Sequence, residues 1–226
     1  MKPVPKKKVP TASLEAISEE VRRVFTLRDK AREKVIPVCR EVIRFSSITI
    51  RAVHRHEYDE AGKLLANARD LLSEAVAATA DWEELRYAGF LRDAQKEYAE
   101  ASITLALTTG KPMPTPDGLG VDVVAYVNGM GEAVGELRRF LLDGMRKGDL
   151  SRAEELLTAM DEIYSALVTM DFPDGITGGL RRTTDMVRGV LEKSRSDLTL
   201  TIGQETLMKR LDKFAVEMKK GSKKTE

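Results

Sequence analysis

Residues 121–146 read VDVVAYVNGMGEAVGELRRFLLDGMR, and this stretch decides the fold class. Glu132 and Glu136 share a row with the small residues Ala125 and Gly129, on the side opposite the main apolar stripe. The pattern predicts an amphipathic helix over 121–146, in which the small residues allow another helix or a ligand to approach closely. The apolar stripe recurs every three or four positions and consists of Val123, Val127, Met130, Val134, Leu137 and Leu141.

The same periodicity continues on both sides of this segment and predicts about seven helices. Pro37 predicts a kink or a break near residue 36, because proline cannot donate the helical hydrogen bond. The prolines and glycines of 110–120 predict a loop. The fold class is therefore expected to be all-α, a single-domain bundle. The predicted helices cover 13–58, 59–80, 82–109, 121–146, one segment ending near 170, one ending near 196, and 204–219.

The 226 residues carry a formal net charge of +1, but this charge is unevenly distributed. Residues 1–12 contribute +4 and residues 219–226 contribute +3, which leaves −6 on residues 13–218. We interpret 1–12 as a disordered basic tail, 13–218 as the helical domain and 219–226 as a basic C-terminal tail. This net negative charge on residues 13–218 excludes a protein that binds polyanions through its overall charge. Binding of nucleic acid would require a local basic surface or the tails.

Several function classes are excluded by what the sequence lacks. The single cysteine, Cys39, excludes an internal disulfide, and there is no glycine-rich phosphate loop, Cys/His metal cluster or Ser/His/Asp set. His54 and His56 point in different directions on a helix, and we interpret both as ordinary surface or interface histidines. No apolar run is long enough to cross a membrane and no signal peptide is recognisable, so a cytoplasmic location is expected. Any chemistry must use carboxylates, arginines and lysines.

Carboxylates cluster on one side of the predicted helix 82–109. Asp93, Glu97 and Glu100 fall within one arc of roughly 60°, and Arg86 falls in the same arc nearer the start of the helix. Like charges this close repel each other unless water screens them or a cation offsets them. Oxygen ligands of this kind suit Mg²⁺, but spaced acidic pairs are also expected by chance in a glutamate-rich chain. The pattern alone leaves a metal site and a solvated face both open.

Three groups of motifs resemble the translin family. The run EYAEA at 97–101 resembles the Glu-Tyr-x-Glu-Ala signature of translin and of translin-associated factor X. The run GMGEAVGEL at 129–137, followed by GD at 148–149, resembles the family's Gly-x-x-Asp/Glu-x-x-Gly-Glu-Leu and Gly-Asp elements. The pairs RE at 40–41 and HR at 54–55 are similar as well. The resemblance covers most of the chain, and it is the order and spacing of the motifs that make it specific.

The resemblance implies a seven-helix bundle that assembles into closed oligomers, commonly octamers, around a cavity. It implies binding of single-stranded RNA or DNA by translin-type subunits and a Mg²⁺-dependent endoribonuclease in the factor X type. The acidic residues of that nuclease match Glu97, Glu100 and Glu132 here, with Glu136 as a fourth, although factor X has aspartate at the position of Glu132. Translin-type nucleic-acid contacts match the stretch that contains Arg86, Arg92 and Lys96.

We therefore expect a Mg²⁺-dependent endoribonuclease, with Mn²⁺ as the alternative ion, that cleaves single-stranded or structured RNA inside its own oligomer. The expected partners are RNA, single-stranded DNA and further copies of the chain, with an octamer favoured, and no membrane. Two alternatives stay open. One is a non-catalytic protein that binds RNA or single-stranded DNA, and the other is a structural bundle whose acidic rows are only solvated faces.

Overall fold

The computed structural model describes residues 11–222, and each regular element in this range is an α-helix. The fold class predicted from the sequence is confirmed, whereas the predicted tails 1–12 and 219–226 lie largely outside the described residues. Six helices are long, and the third, fifth and eighth are single turns. In chain order the helices are α1 (Thr11–His54), α2 (Tyr58–Ala78), α3 (Glu83–Arg86), α4 (Gly89–Thr108), α5 (Pro116–Leu119), α6 (Val123–Arg146), α7 (Ala153–Val168), α8 (Asp174–Thr177) and α9 (Leu180–Ser222).

The long helices pack around one main hydrophobic core. Helix α1 packs against α2 and α4, α4 packs against α6, and α6 packs against α7 and α9. Fully buried side chains of this core include Leu91 on α4, Leu137 on α6 and Leu191 on α9. Helices α4 and α6 therefore lie at the centre of the bundle, with other helices packed against each of them.

Helix α1 continues through Pro37, so the predicted alternative of a break near residue 36 is wrong. Pro37 is exposed, whereas Val35 and Cys39 on either side of it are buried in the core. The packing of these neighbours holds the helix together across the one backbone hydrogen bond that proline cannot donate.

The predicted helix 82–109 is divided into α3 and α4. Tyr87 and Ala88 separate the two helices, and Ala88 has an extended backbone with φ −67° and ψ 146°. Arg86 is the last residue of α3, so it does not belong to the helix that carries the acidic residues. The helical-wheel argument that placed Arg86 in their arc is therefore wrong.

The last two predicted helices form one continuous helix, the 43-residue α9. The hydroxyl groups of Thr199 and Thr201 donate to main-chain carbonyl oxygens four positions earlier in the helix. These side-chain bonds satisfy the polar groups of the threonines within the helix, so the short β-branched stretch does not interrupt it.

Both of the longest helices expose apolar side chains near the ends of the chain. These residues recur every three or four positions, so they form one stripe on each helix, and each side chain is 45–62% exposed. No helix between residues 11 and 222 combines the length and the apolar character needed to span a membrane. We call the two sets the outer stripes; they are Leu14, Ile17, Val21 and Phe25 on α1, and Leu207, Leu211, Phe214 and Met218 on α9.

Candidate functional site

Three glutamates from two helices meet where α4 packs against α6. Glu97 and Glu100 lie about one turn apart on α4, and Glu132 lies on α6. One carboxylate oxygen of each residue lies within 4.8 Å of the corresponding oxygens of the other two. We call these residues the acidic trio. Their oxygens are close enough together for one cation to contact all three.

The close packing of α4 and α6 at this point requires Gly129. A Cβ atom on Gly129 would lie 2.6 Å from the carbonyl oxygen of Lys96 and 3.1 Å from the backbone nitrogen of Glu100. Because glycine has no Cβ, the two backbones can approach this closely. The expectation that the small residues of this row allow another helix to approach is confirmed, and the approach brings Glu132 to the carboxylates of α4.

Glu100 is the most buried member of the acidic trio. Its exposed fraction is 8%, and it forms no hydrogen bond or ion pair with any residue in the part of the chain that the structure describes. Burial, together with the negative charges of Glu97, Glu132 and Glu136, raises the pKa of Glu100 to about 8, although Lys96 acts in the opposite direction. A buried carboxylate without a donor is energetically costly. The site therefore favours either a proton or a cation at Glu100.

Lys96 supplies a positive charge next to the acidic trio. Its Nζ atom lies 2.6 Å from Oε2 of Glu132 and 3.5 Å from Oε1 of Glu97. Burial lowers the pKa of Lys96, but the hydrogen bonds and charges of Glu132 and Glu97 together raise it by more, so the net shift is upward. Burial raises the pKa of Glu97, and Lys96 opposes this shift. Lys96 is therefore a counter-ion of the trio.

Glu136, predicted as a fourth acidic ligand, lies outside the group of three and contacts a histidine. Its Oε2 atom lies 2.5 Å from Nε2 of His54 and 3.8 Å from Nη1 of Arg139. The hydrogen bond with His54 lowers the pKa of Glu136 in spite of burial. Because the His54 side chain is only 5% exposed, its interpretation as an ordinary surface or interface histidine is wrong. His56, by contrast, is exposed and lies beyond the end of α1.

A cavity of about 540 Å³ adjoins the acidic trio. Glu132 of the trio lines this cavity, and so does Lys96, which pairs with Glu132, so the two features adjoin at these residues. Of the three predicted nucleic-acid contacts, Arg92 and Lys96 line this cavity, whereas Arg86 is exposed on α3 and does not. Arg182 on α9 also lines the cavity and was not recognised from the sequence. The one sequence feature near it is the glycine pair Gly178–Gly179 just before α9, which marks a turn at this point.

Comparison with known sequences gives a relative but no family model. No protein-family model matches the sequence. A protein of Methanocaldococcus jannaschii that is described as uncharacterised is 26% identical over 190 residues, which cover 84% of each chain.

Three solved structures have the same fold. The complex of AfC3PO with duplex RNA is 32% identical, has a TM-score of 0.76, and matches 82% of this chain and 96% of its own. The crystal structure of AfC3PO has the same identity and TM-score and is matched over 97% of its length. Apo-NeC3PO, at 21% identity, has a TM-score of 0.71 over 86% of this chain and 99% of its own, a likeness that shows the fold alone.

These findings define the class of protein as an all-helical bundle of the C3PO type. The chain belongs to the translin family, as its motifs indicated.

Proposed function

We propose that this protein is a metal-dependent endoribonuclease whose metal centre is the acidic trio. The observation that carries the proposal is the meeting of Glu97, Glu100 and Glu132 from two central helices, with carboxylate oxygens within 4.8 Å of one another. Acidic groups also occur on protein surfaces without any metal. Here, however, one of the three, Glu100, is only 8% exposed and has no hydrogen-bond donor among the described residues, and such an environment favours a bound cation or a proton over the free carboxylate.

The donor set fits Mg²⁺, with Mn²⁺ as the alternative. Both are hard ions that prefer carboxylate oxygens, and Mg²⁺ often takes only a few protein ligands and keeps several waters. Glu97, Glu100 and Glu132 would hold the ion. Glu136 would remain hydrogen-bonded to His54 next to them and would contribute negative charge. When bound, such an ion supplies a Lewis acid for a phosphoryl oxygen and lowers the pKa of a coordinated water.

Residues of the chain itself would bind the RNA and stabilise the charge that develops in the proposed reaction. Lys96 lies against the trio and is placed to stabilise the charge that builds up on the reacting phosphate. A carboxylate oxygen of the trio that does not contact the metal would accept the proton of the attacking water. AfC3PO, a relative with 32% identity, has been solved in complex with duplex RNA. We extend RNA binding to this chain and propose single-stranded or structured RNA as its substrate.

The test is cleavage of an end-labelled RNA by the purified protein in Mg²⁺, with EDTA in a parallel reaction. We expect Glu100→Gln to reduce the rate by about 100-fold or more, because the amide is a neutral and much weaker ligand for Mg²⁺. Glutamine has nearly the same shape as glutamate, so the variant should keep its fold and assembly. The matched control is Glu162→Gln on α7, an exposed glutamate outside the trio, and this variant should cleave normally.

Cleavage that persists in EDTA, or a Glu100→Gln variant as active as Glu162→Gln, would contradict the proposal.

A second candidate function is binding of RNA or single-stranded DNA without cleavage. The observation that favours it is the ion pair between Lys96 and Glu132, which already neutralises part of the trio's charge. This candidate predicts binding that weakens with salt and no product in any metal. The same assay therefore separates the two candidates.

Assembly into a homo-oligomer is part of the proposal, with an octamer favoured by the family resemblance. The outer stripes on α1 and α9 support self-association, because apolar surface of this extent is usually covered in a stable protein. The cytoplasmic location expected from the sequence also remains part of the proposal.

A further inference from the structure

We infer that the cavity beside the acidic trio binds one phosphate group of a nucleic-acid strand, and that Arg182 is one of its ligands. The inference rests on the proposed function, because it places this phosphate next to the one at the metal centre. Arg182 is the residue that it adds, and the side chain comes from α9 rather than from the helices that carry the carboxylates.

The charges that line the cavity favour an anion. Arg92, Lys96 and Arg182 are cationic, and Asp93 and Glu132 are anionic, which leaves a formal excess of one positive charge. Lys96 already pairs with Glu132, whereas neither arginine pairs with a carboxylate among residues 13–218. Asp93 is exposed and likewise has no ion pair in this range. Two guanidinium groups are therefore free to donate to a phosphate, which arginine binds through two parallel hydrogen bonds.

The backbone at the start of α9 holds Arg182 at the cavity. Gly178 has a positive φ of +63°, and a Cβ atom there would lie 2.8 Å from Cγ1 of Val124 on α6. The same Cβ would lie 3.9 Å from Nη1 of Arg92, so the turn brings the start of α9 next to that arginine. Because the first turn of α9 contains no acidic residue, no carboxylate there opposes an anion.

A buried asparagine fixes this turn to α6. Asn128 donates from Nδ2 to the carbonyl oxygen of Thr177 at 3.0 Å, and its Oδ1 accepts from the hydroxyl of Thr183 at 2.9 Å. Thr177 directly precedes the glycine pair Gly178–Gly179, and Thr183 directly follows Arg182. The cavity wall is therefore built by specific contacts, and these contacts fix the backbone on which Arg182 is carried.

The experiment measures binding of a fluorescein-labelled single-stranded 2′-O-methyl oligoribonucleotide by anisotropy, in EDTA and at several salt concentrations. This probe resists cleavage, and EDTA removes any contribution from a metal. We expect Arg182→Gln to raise the Kd about tenfold and to reduce the salt dependence by about one phosphate contact.

The matched control is Arg181→Gln. Arg181 is the neighbouring residue on α9 with the same charge, it is 80% exposed, and it does not line the cavity. Thermal unfolding checks that both variants remain folded. Equal Kd values and equal salt dependences for the two variants would overturn the inference.

A double-mutant cycle tests whether both arginines bind the same phosphate. If they do, Arg92→Gln combined with Arg182→Gln should weaken binding by less than the product of the two single effects. Independent effects would place them on different phosphates and would overturn the single-phosphate subsite.

The inference can fail separately from the proposed nuclease. Mg²⁺-dependent cleavage with equal binding by the Arg181 and Arg182 variants would leave the nuclease standing without this subsite. Binding that depends on Arg182, without cleavage in any metal, would establish the subsite and contradict the nuclease.

Discussion

Glu100 should make the stability of the metal-free protein depend on pH. Its pKa is raised from 4.5 to about 8 in the folded protein, so the folded state binds this proton more tightly than the unfolded state does. The stability that this proton contributes is complete below about pH 4.5 and is lost as the pH rises through about 8. Between these values the free energy of unfolding decreases by up to about 1.4 kcal/mol per pH unit. We expect the Glu100→Gln variant not to show this decrease in stability as the pH rises.

The measurement is urea unfolding of the wild-type protein and of Glu100→Gln, in EDTA, from pH 6 to pH 9. The difference between the two free energies of unfolding should change in favour of the variant as the pH rises and should level off above about pH 8. Parallel curves would mean that Glu100 is already ionised at pH 6.

Replacement of Lys96 should strengthen metal binding at the acidic trio. In the wild-type protein an ion must compete with the Lys96 ammonium for Glu132, and a charged hydrogen bond of this kind contributes about 1.5 kcal/mol or more. We therefore expect Lys96→Met to lower the Kd for Mg²⁺ by roughly tenfold, as measured by isothermal titration calorimetry. Lys63→Met, which removes an exposed lysine on α2, is the control and should leave the Kd unchanged.

The sequence identified individual site residues best where they lie on the same helix. Glu97 and Glu100 could be placed together because residues three apart on a helix are neighbours. Pairing with a distant helix could not be predicted from periodicity, and the contacts of Lys96 with Glu132 and of His54 with Glu136 are of this kind. Glu132 entered the predicted site only through the family resemblance.

At the scale of secondary structure, Gly129→Ala should separate α4 from α6. The added Cβ atom would lie 2.6 Å from a backbone oxygen of α4, and a backbone cannot move aside as a flexible side chain does. We expect a loss of about 1–3 kcal/mol in stability, together with weaker Mg²⁺ binding, because Glu132 would move away from Glu97 and Glu100.

Gly135→Ala on the same helix is the matched control. A Cβ atom there has no neighbour within 4 Å among the described residues. The better helix propensity of alanine should therefore stabilise α6 by up to about 1 kcal/mol without changing the metal affinity. Equal stability of the two variants, measured by chemical unfolding, would show that the contact at Gly129 does not limit how closely α4 and α6 pack.

Helix content could be predicted from the sequence, but helix boundaries could not always be. The apolar period predicted a helix over 121–146. The observed helix, Val123–Arg146, starts two residues later than predicted and ends at the predicted residue. The break predicted near residue 36 and the gap predicted between 196 and 204 do not occur, because packing next to Pro37 and side-chain hydrogen bonds such as that of Thr199 keep both helices continuous. The interruption at Ala88 was missed, since the apolar period continues across it.

At the scale of the whole molecule, the outer stripes should hold copies of the chain together. A double substitution of Leu211→Asp and Phe214→Asp places two charges on the stripe of α9, where both side chains are more than half exposed in the single chain. We expect the variant to form a smaller species than the wild-type protein, measured by size-exclusion chromatography with light scattering, because burying each aspartate in an apolar interface costs several kcal/mol.

The control for this variant is Thr206→Asp, which adds a charge to an exposed position of α9 outside the stripe. Its mass in solution should equal that of the wild-type protein. A double variant that keeps the wild-type mass would exclude the stripe of α9 as an interface.

The ion pair of Lys96 has a consequence for how the protein is made. Proteins whose metal ligands repel each other often depend on the metal in order to fold, but here the chain provides its own positive charge between α4 and α6. A newly synthesised chain can therefore complete its bundle while magnesium is scarce. For the metal centre proposed above, loading with the ion would then be a later and reversible step, one that follows the supply of the ion in the cell and does not limit the yield of folded protein.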